Sequence, residues 1–159
     1  MTQLPDKFKL QVAQLLGQEE ADGLCRALLE EPTVSVRVNR AKAGCPPQDV
    51  ENERVPWCET GYYLSSRPSF TLDPLFHAGT YYVQEASSMF IEQAFKTMDF
   101  QPKRMLDLCA APGGKSTLWR SLLPDGALLV ANEPIRQRAM ILLENLTKWG
   151  HPDVVVTNA

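Results

Sequence analysis

From Arg104 onward the apolar residues switch between two spacings, and this rhythm limits the fold more than any other feature of the chain. Arg104–Leu108, Ala127–Ala131 and Val154–Thr157 are short apolar runs, while Lys115–Leu123 and Ile135–Trp149 repeat with helical spacing. Runs of that length read as buried strands and the longer periodic segments as helices, so the order is βαβαβ and the sheet is parallel. The punctuation agrees: Pro124-Asp125-Gly126 makes a turn, Pro134 takes a first helical position, and Gly150 stands just past a helix end. In such an open α/β sheet, ligands bind beyond the carboxyl ends of the strands.

The front of the chain follows another pattern. Phe8, Val12, Leu15 and Leu16 share one helical face, Gly17 is a stop, and a second helix is expected over Glu19–Glu31, with Leu24, Ala27 and Leu28 inward and Pro32 ending it. Val34–Arg40 alternates strictly, which sets three valines on the buried side of a strand and Ser35, Arg37 and Asn39 on the other. A loop over residues 41–49 follows, then strand candidates Val55–Cys58 and Tyr62–Ser65 around a Glu59-Thr60-Gly61 turn. Ser66–His77 has little periodicity. Tyr81–Val83 reads as extended, and Ser87 or Ser88 caps a helix with Ile91, Ala94, Phe95 and Met98 on one face. A small α+β domain over residues 1–79 and an α/β domain starting at residue 80 are expected.

The 159 residues carry 16 Lys and Arg against 19 Asp and Glu, a net charge of -3, so any grip on nucleic acid has to be local rather than a bulk-charge effect. Cys25, Cys45, Cys58 and Cys109 are scattered and the only histidines are His77 and His151, a pattern that suggests neither a metal site nor a disulfide framework. The first residues lack the apolar segment of a signal peptide, and a run such as Gly126–Ala131 is far too short for a bilayer. A cytoplasmic protein with no membrane partner is expected.

Chemistry concentrates in Asp107–Thr117, where a strand hands over to a helix. Pro112 suits position i+1 and Gly113 position i+2 of a type II turn, and Gly114 permits close approach of a ligand to the backbone. The helix start that follows offers unpaired N–H groups. A P-loop needs glycine five residues before Gly114, but Cys109 stands there, which disfavours an NTPase; a dinucleotide loop needs three spaced glycines where only Gly113 and Gly114 exist. A nucleoside ligand without a pyrophosphate remains. Glu133, 19 residues after Gly114, has the place of a carboxylate that accepts from ribose hydroxyls, and equally that of an acid beside a helix start. S-adenosylmethionine has both a ribose and a carboxylate tail.

Asp107–Ser116 resembles the first cofactor motif of the Nol/Nop/Sun family of RNA (cytosine-5) methyltransferases, and Tyr82–Met89 the segment before it. Val36-Arg37-Val38-Asn39 and Val55-Pro56-Trp57-Cys58 resemble the small amino-terminal domain of its bacterial small-subunit rRNA branch. The resemblance implies an α+β amino-terminal domain followed by the first half of a Rossmann-like class I methyltransferase domain, with S-adenosylmethionine as cofactor and rRNA as partner. It implies that Cys109, Ala110, Ala111, Pro112, Gly113, Gly114 and Lys115 wrap the methionine part and that Glu133 holds the ribose. Arg37, Asn39 and Arg40, on and beside a polar strand face, are the expected RNA contacts. In the family a cysteine thiolate adds to carbon 6 of cytosine so that carbon 5 can take the methyl. Those cysteines lie on later strands, and neither of their contexts occurs here, so the nucleophile is expected beyond Ala159 and no residue of this chain is assigned a catalytic role. The chain is expected to be the leading part of a longer enzyme and inactive alone; the other reading is a non-catalytic nucleoside- or RNA-binding module.

Overall fold

The computed structural model describes residues 3–42 and 53–159, in two compact units divided between Thr33 and Val34. Cys45 and most of the small-residue loop at 41–49 lie outside the described residues. In the first unit, α1 (Asp6–Leu16) and α2 (Gln18–Ala27) are joined at Gly17, which adopts a positive φ of 86° and donates its amide to the Ala13 carbonyl. Val12 and Ala21 are its buried residues, whereas Leu15 and Leu16, expected inside, are 82% and 54% exposed. Two short helices offer each other only one narrow stripe of contact. The second helix also stops earlier than expected: the Leu29 amide turns to Arg26 and that of Glu30 to Ala27, tightening the chain into i→i−3 bonds before Pro32.

The second unit begins with a four-stranded antiparallel sheet, β1 (Val34–Val38), β2 (Glu53–Arg54), β3 (Gly61–Leu64) and β4 (Tyr81–Val83), in the order β2-β3-β1-β4. Val36 lies opposite Tyr62 on one side and Val83 on the other. Val55–Cys58, expected as a strand, is a turn in which the Cys58 amide reaches the Val55 carbonyl; Pro56 has no N–H to give to a ladder. Gly61 opens β3 because a Cβ there would stand 2.7 Å from Met89 Sδ. The stretch without periodicity holds a 3-10 turn (Phe70–Leu72) and α3 (Pro74–His77), capped by Asp73 Oδ1 accepting from the Leu75 amide at 2.9 Å. One helix expected after Ser87 is two, α4 (Ala86–Met89) and α5 (Ile91–Lys96), interrupted at Phe90.

The parallel sheet follows as β5 (Arg104–Asp107), α6 (Gly114–Leu122), β6 (Leu128–Asn132), α7 (Arg136–Trp149) and β7 (Val154–Thr157), with strand order β5-β6-β7. The Rossmann-like βαβαβ half is therefore present as read, although α7 starts two residues after Pro134. Leu129 and Ala131 of β6 pack into clusters with Leu142 and Leu146 of α7 and with Leu123 and Ala127 at the α6–β6 turn. That turn is clamped by Arg120, whose buried guanidinium donates to the carbonyls of Leu123, Pro124 and Ala127. On the opposite face Leu106 and Leu128 are exposed, as is Val155. No described helix is long and apolar enough to cross a membrane.

Candidate functional site

The Asp107–Gly114 loop leaves β5 and is fixed at nearly every carbonyl. The Ala110 amide donates to Asn132 O at 2.9 Å, tying the loop to the end of β6, and Ser116 Oγ donates to Asp107 Oδ2 at 2.8 Å. The Gly113 amide donates to Ala110 O, and the peptide bond before Pro112 is cis, so Pro112 occupies position i+2 of the reversal instead of the expected i+1. Gly113 has the positive φ expected of it, 111°. At Gly114 a Cβ would meet Tyr82 Cε1 at 3.3 Å, so the bare position also lets the first sheet pack closely against the helix start. Cys109 and Lys115 are exposed, whereas Ala110 and Ala111 are buried in the cluster with Ala131, Leu142 and Leu146.

Glu133 closes β6 beside this loop and is 1% exposed. Its Oε1 accepts from the Ile135 amide at 3.1 Å and lies 3.6 Å from Arg138 Nη1, while Oε2 is buried with no partner. Arg138 also donates to Ala111 O at 3.1 Å, so one side chain ties the acid to the loop. Asn145 Nδ2 and Tyr82 Oη donate to Pro112 O at 2.7 and 3.2 Å. Sequence reasoning missed Arg138, Asn145 and Tyr82, because each acts on a backbone carbonyl, which leaves no motif. The Ala159 backbone pairs with the Asn132 side chain: its amide donates to Asn132 Oδ1 and its carbonyl accepts from Asn132 Nδ2, both at 3.0 Å.

The alternation of β1 is as read, but its polar side does not face solvent. Arg37 is 0% exposed: its guanidinium donates to Gln84 Oε1 at 2.9 Å, to Gly114 O at 3.3 Å and to Thr117 Oγ1, and stacks 4.5 Å over the Trp149 ring. No carboxylate salt-bridges it among the described residues, and Nη1 is unpartnered; burial brings its pKa down to about 10. Asn39 is likewise inside, with Nδ2 donating to the carbonyls of Gly79 and Trp149. Of the three expected RNA contacts only Arg40 is exposed, 3.4 Å from Glu59. Arg37 and Asn39 are corrected to internal struts that join the first sheet to α6 and α7. Burial pushes the Cys58 thiol up, aided by Glu92, which is the opposite of what an activated nucleophile needs.

Residues 4–86 match the family model for the N-terminal domain of 16S rRNA methyltransferase RsmF, more than half of the chain. The chain belongs to the Nol/Nop/Sun family. Residues 97–159 match a second model of the same branch, 16S rRNA methyltransferase RsmB/F. Among curated members of this Nol/Nop/Sun branch, ribosomal RNA small subunit methyltransferase F of Aeromonas hydrophila is 34% identical over 99% of the chain, and that of Shewanella sp. (strain ANA-3) is 33% identical over 99%. The chain spans 36% and 35% of those proteins, about a third of their length. A methyltransferase homolog protein from Pyrococcus horikoshii superposes with a TM-score of 0.75 at 27% identity, covering 98% of the chain and 57% of its own. NSun6 from Pyrococcus horikoshii shares the fold, with a TM-score of 0.76 at 16% identity over 98% of this chain and 65% of that one. The Nol/Nop/Sun motif at Asp107–Ser116 is thus placed on the strand-to-helix turn of a Rossmann-like half-sheet.

Proposed function

We propose that the chain carries the cofactor loop and part of the RNA-recognition apparatus of an S-adenosylmethionine-dependent rRNA (cytosine-5) methyltransferase, the cofactor domain beginning after β4, which pairs with β1 and so moves the boundary expected at residue 79 or 80 past Val83. The observation that carries this reading is Glu133: a carboxylate at the end of β6, held on one oxygen and left with an unpartnered buried oxygen on the other, beside a glycine-bearing loop. A buried acceptor without a donor is costly, and a ribose hydroxyl supplies that donor. Cys109, Ala110, Ala111, Pro112, Gly113, Gly114 and Lys115 surround the methionine part. When bound, S-adenosylmethionine supplies an electrophilic methyl on its sulfonium. The chain's own contribution is to orient that group through a loop whose carbonyls are held by Arg138, Asn145 and Tyr82. We assign the nucleophile's role to none of the four cysteines of this chain.

Calorimetry with S-adenosylmethionine and with ATP tests the reading. Binding of the first and not the second is expected, and Glu133→Ala weakens it by one to two orders of magnitude, the scale of losing hydrogen bonds to a charged acceptor. A Glu133→Ala variant that loses stability and keeps its affinity would make the acid a helix-start device instead. Labelled methyl transfer to RNA by this chain alone is expected to be absent.

A further inference from the structure

The internal roles of Arg37 and Asn39 leave the RNA reading without most of its expected contacts, and the structure offers a different surface. Between β4, α3 and the end of α7 lies a cavity of about 310 Å³, at the lower end of the range for ligand pockets. Its walls include five aromatic residues, Phe70, Phe76, Tyr81, Tyr82 and Trp149. The Phe70, Phe76 and Tyr81 rings are tilted against one another, with centroids 6.0–6.4 Å apart and interplanar angles of 42–58°; Phe70 and Tyr81 are buried in the core, and Phe76 is the partly exposed ring of the three. Two cations stand at these rings, the Arg67 guanidinium 5.8 Å from the Phe70 centroid and Lys148 Nζ 5.7 Å from that of Phe76.

The two cations differ. Lys148 is neutralised by Glu144 at 2.5 Å, whereas exposed Arg67 forms no salt bridge among the described residues. On a chain of net charge -3, one uncompensated arginine beside an aromatic hollow is a local anion site joined to a stacking site. Single-stranded RNA presents that pair of features, a planar base and a phosphate one sugar away. Asn145, which also lines the cavity, spends its amide N–H on Pro112 O and accepts no hydrogen bond from the described residues through Oδ1, leaving an acceptor for an exocyclic amino group. Through Asn145 and Tyr82 the cavity wall is continuous with the cofactor loop.

We infer that this cavity takes one unstacked nucleotide of single-stranded RNA, its base against Phe76 and its neighbours and its phosphate on Arg67. The inference rests on the RNA reading above and names a site for it. The probe is a fluorescently labelled single-stranded oligoribonucleotide titrated with the 159-residue chain over a series of salt concentrations. Arg67→Glu is expected to weaken binding at least fivefold and to lower the salt slope by about one, as loss of one phosphate contact does. Phe76→Ala is expected to cost on the order of tenfold, and Phe76→Tyr, which keeps the ring, to restore it. Should Phe76→Ala fail to fold, the surface change at Arg67 decides alone. Unchanged affinity in both variants overturns the inference, as does absence of RNA binding by the unsubstituted chain, or a cavity that captures a protein segment while Arg67→Glu leaves RNA binding intact. S-adenosylmethionine affinity, measured on the same variants, is expected to stay unchanged; its loss in the unsubstituted chain would instead strike the cofactor reading.

Discussion

At Gly113 the backbone conformation, and not the space around it, excludes other residues. With φ at 111°, a Cβ would find Leu142 Cδ1 at 3.4 Å and Asn145 Cβ at 3.5 Å, ordinary contacts, so the penalty for Gly113→Val lies in the positive φ. That penalty is about 1–2 kcal/mol or more for a β-branched side chain. We expect this variant to remain folded, to lose a little thermal stability and to lose measurable binding in a titration with S-adenosylmethionine, because the turn must open to relieve the strain. Full retention of affinity would mean that the loop tolerates another path. Arg37 provides the second test at this scale. Arg37→Lys keeps a buried positive charge but replaces a planar fork that spans Gln84, Gly114 and Thr117 with a single point of donation. Losing one charge-assisted bond of that kind costs about 1.5–3 kcal/mol, which a urea titration reads as a lower midpoint at unchanged slope. A midpoint equal to that of the parent chain would show that the strut adds nothing to stability.

Elements are legible in proportion to how local their determinants are. The βαβαβ rhythm, the Gly150 stop and the place of Glu133 depend on residues a few positions apart, and the structure holds all three. The polar face of β1 is not legible because its partners, from Gly79 and Gln84 to Gly114, Thr117 and Trp149, stand 40 to 110 positions away along the chain. Alternation reveals that a strand has two faces; it does not say what covers each. The link between α7 and β7 carries a pH prediction. The Asp153 amide donates to His151 Nδ1 at 3.2 Å, which requires that nitrogen to be unprotonated. Burial, and then the charge of Arg120, holds the His151 pKa below its ordinary value. The unfolded chain therefore takes up this proton first as pH falls below about 6.5, and stability declines from there down to the folded-state pKa. Melting temperatures recorded between about pH 7.5 and 5 should drop less in His151→Gln than in the parent, and parallel curves would remove His151 from the account.

At the scale of the second unit, α6 and α7 pack on one face of the sheet formed by β5, β6 and β7, and among the described residues Leu106, Leu128 and Val155 on the other face are exposed. Leu106 and Leu108, 58% and 64% exposed, lie on and just beyond β5, an edge strand. An exposed apolar edge of this kind pairs with other chains. The chain by itself is expected to associate with rising concentration in light scattering, and Leu106→Lys to shift it toward monomer; a monodisperse parent at high concentration would contradict this. The two sheets of the second unit are also joined lengthwise. Asn39 donates to Trp149 O at 2.9 Å and Lys42 to Lys148 O at 2.5 Å, so the first strand caps the last helix across 110 positions of sequence. On a ribosome adding roughly 5–20 residues per second, the Asn39 side chain waits about 5–20 s for its acceptor to be synthesised. During that interval the amino-terminal sheet emerges with Arg37 and Asn39 still seeking the groups that will bury them, so a pause in translation before Trp149 prolongs the period in which this sheet is open to chaperones and proteases.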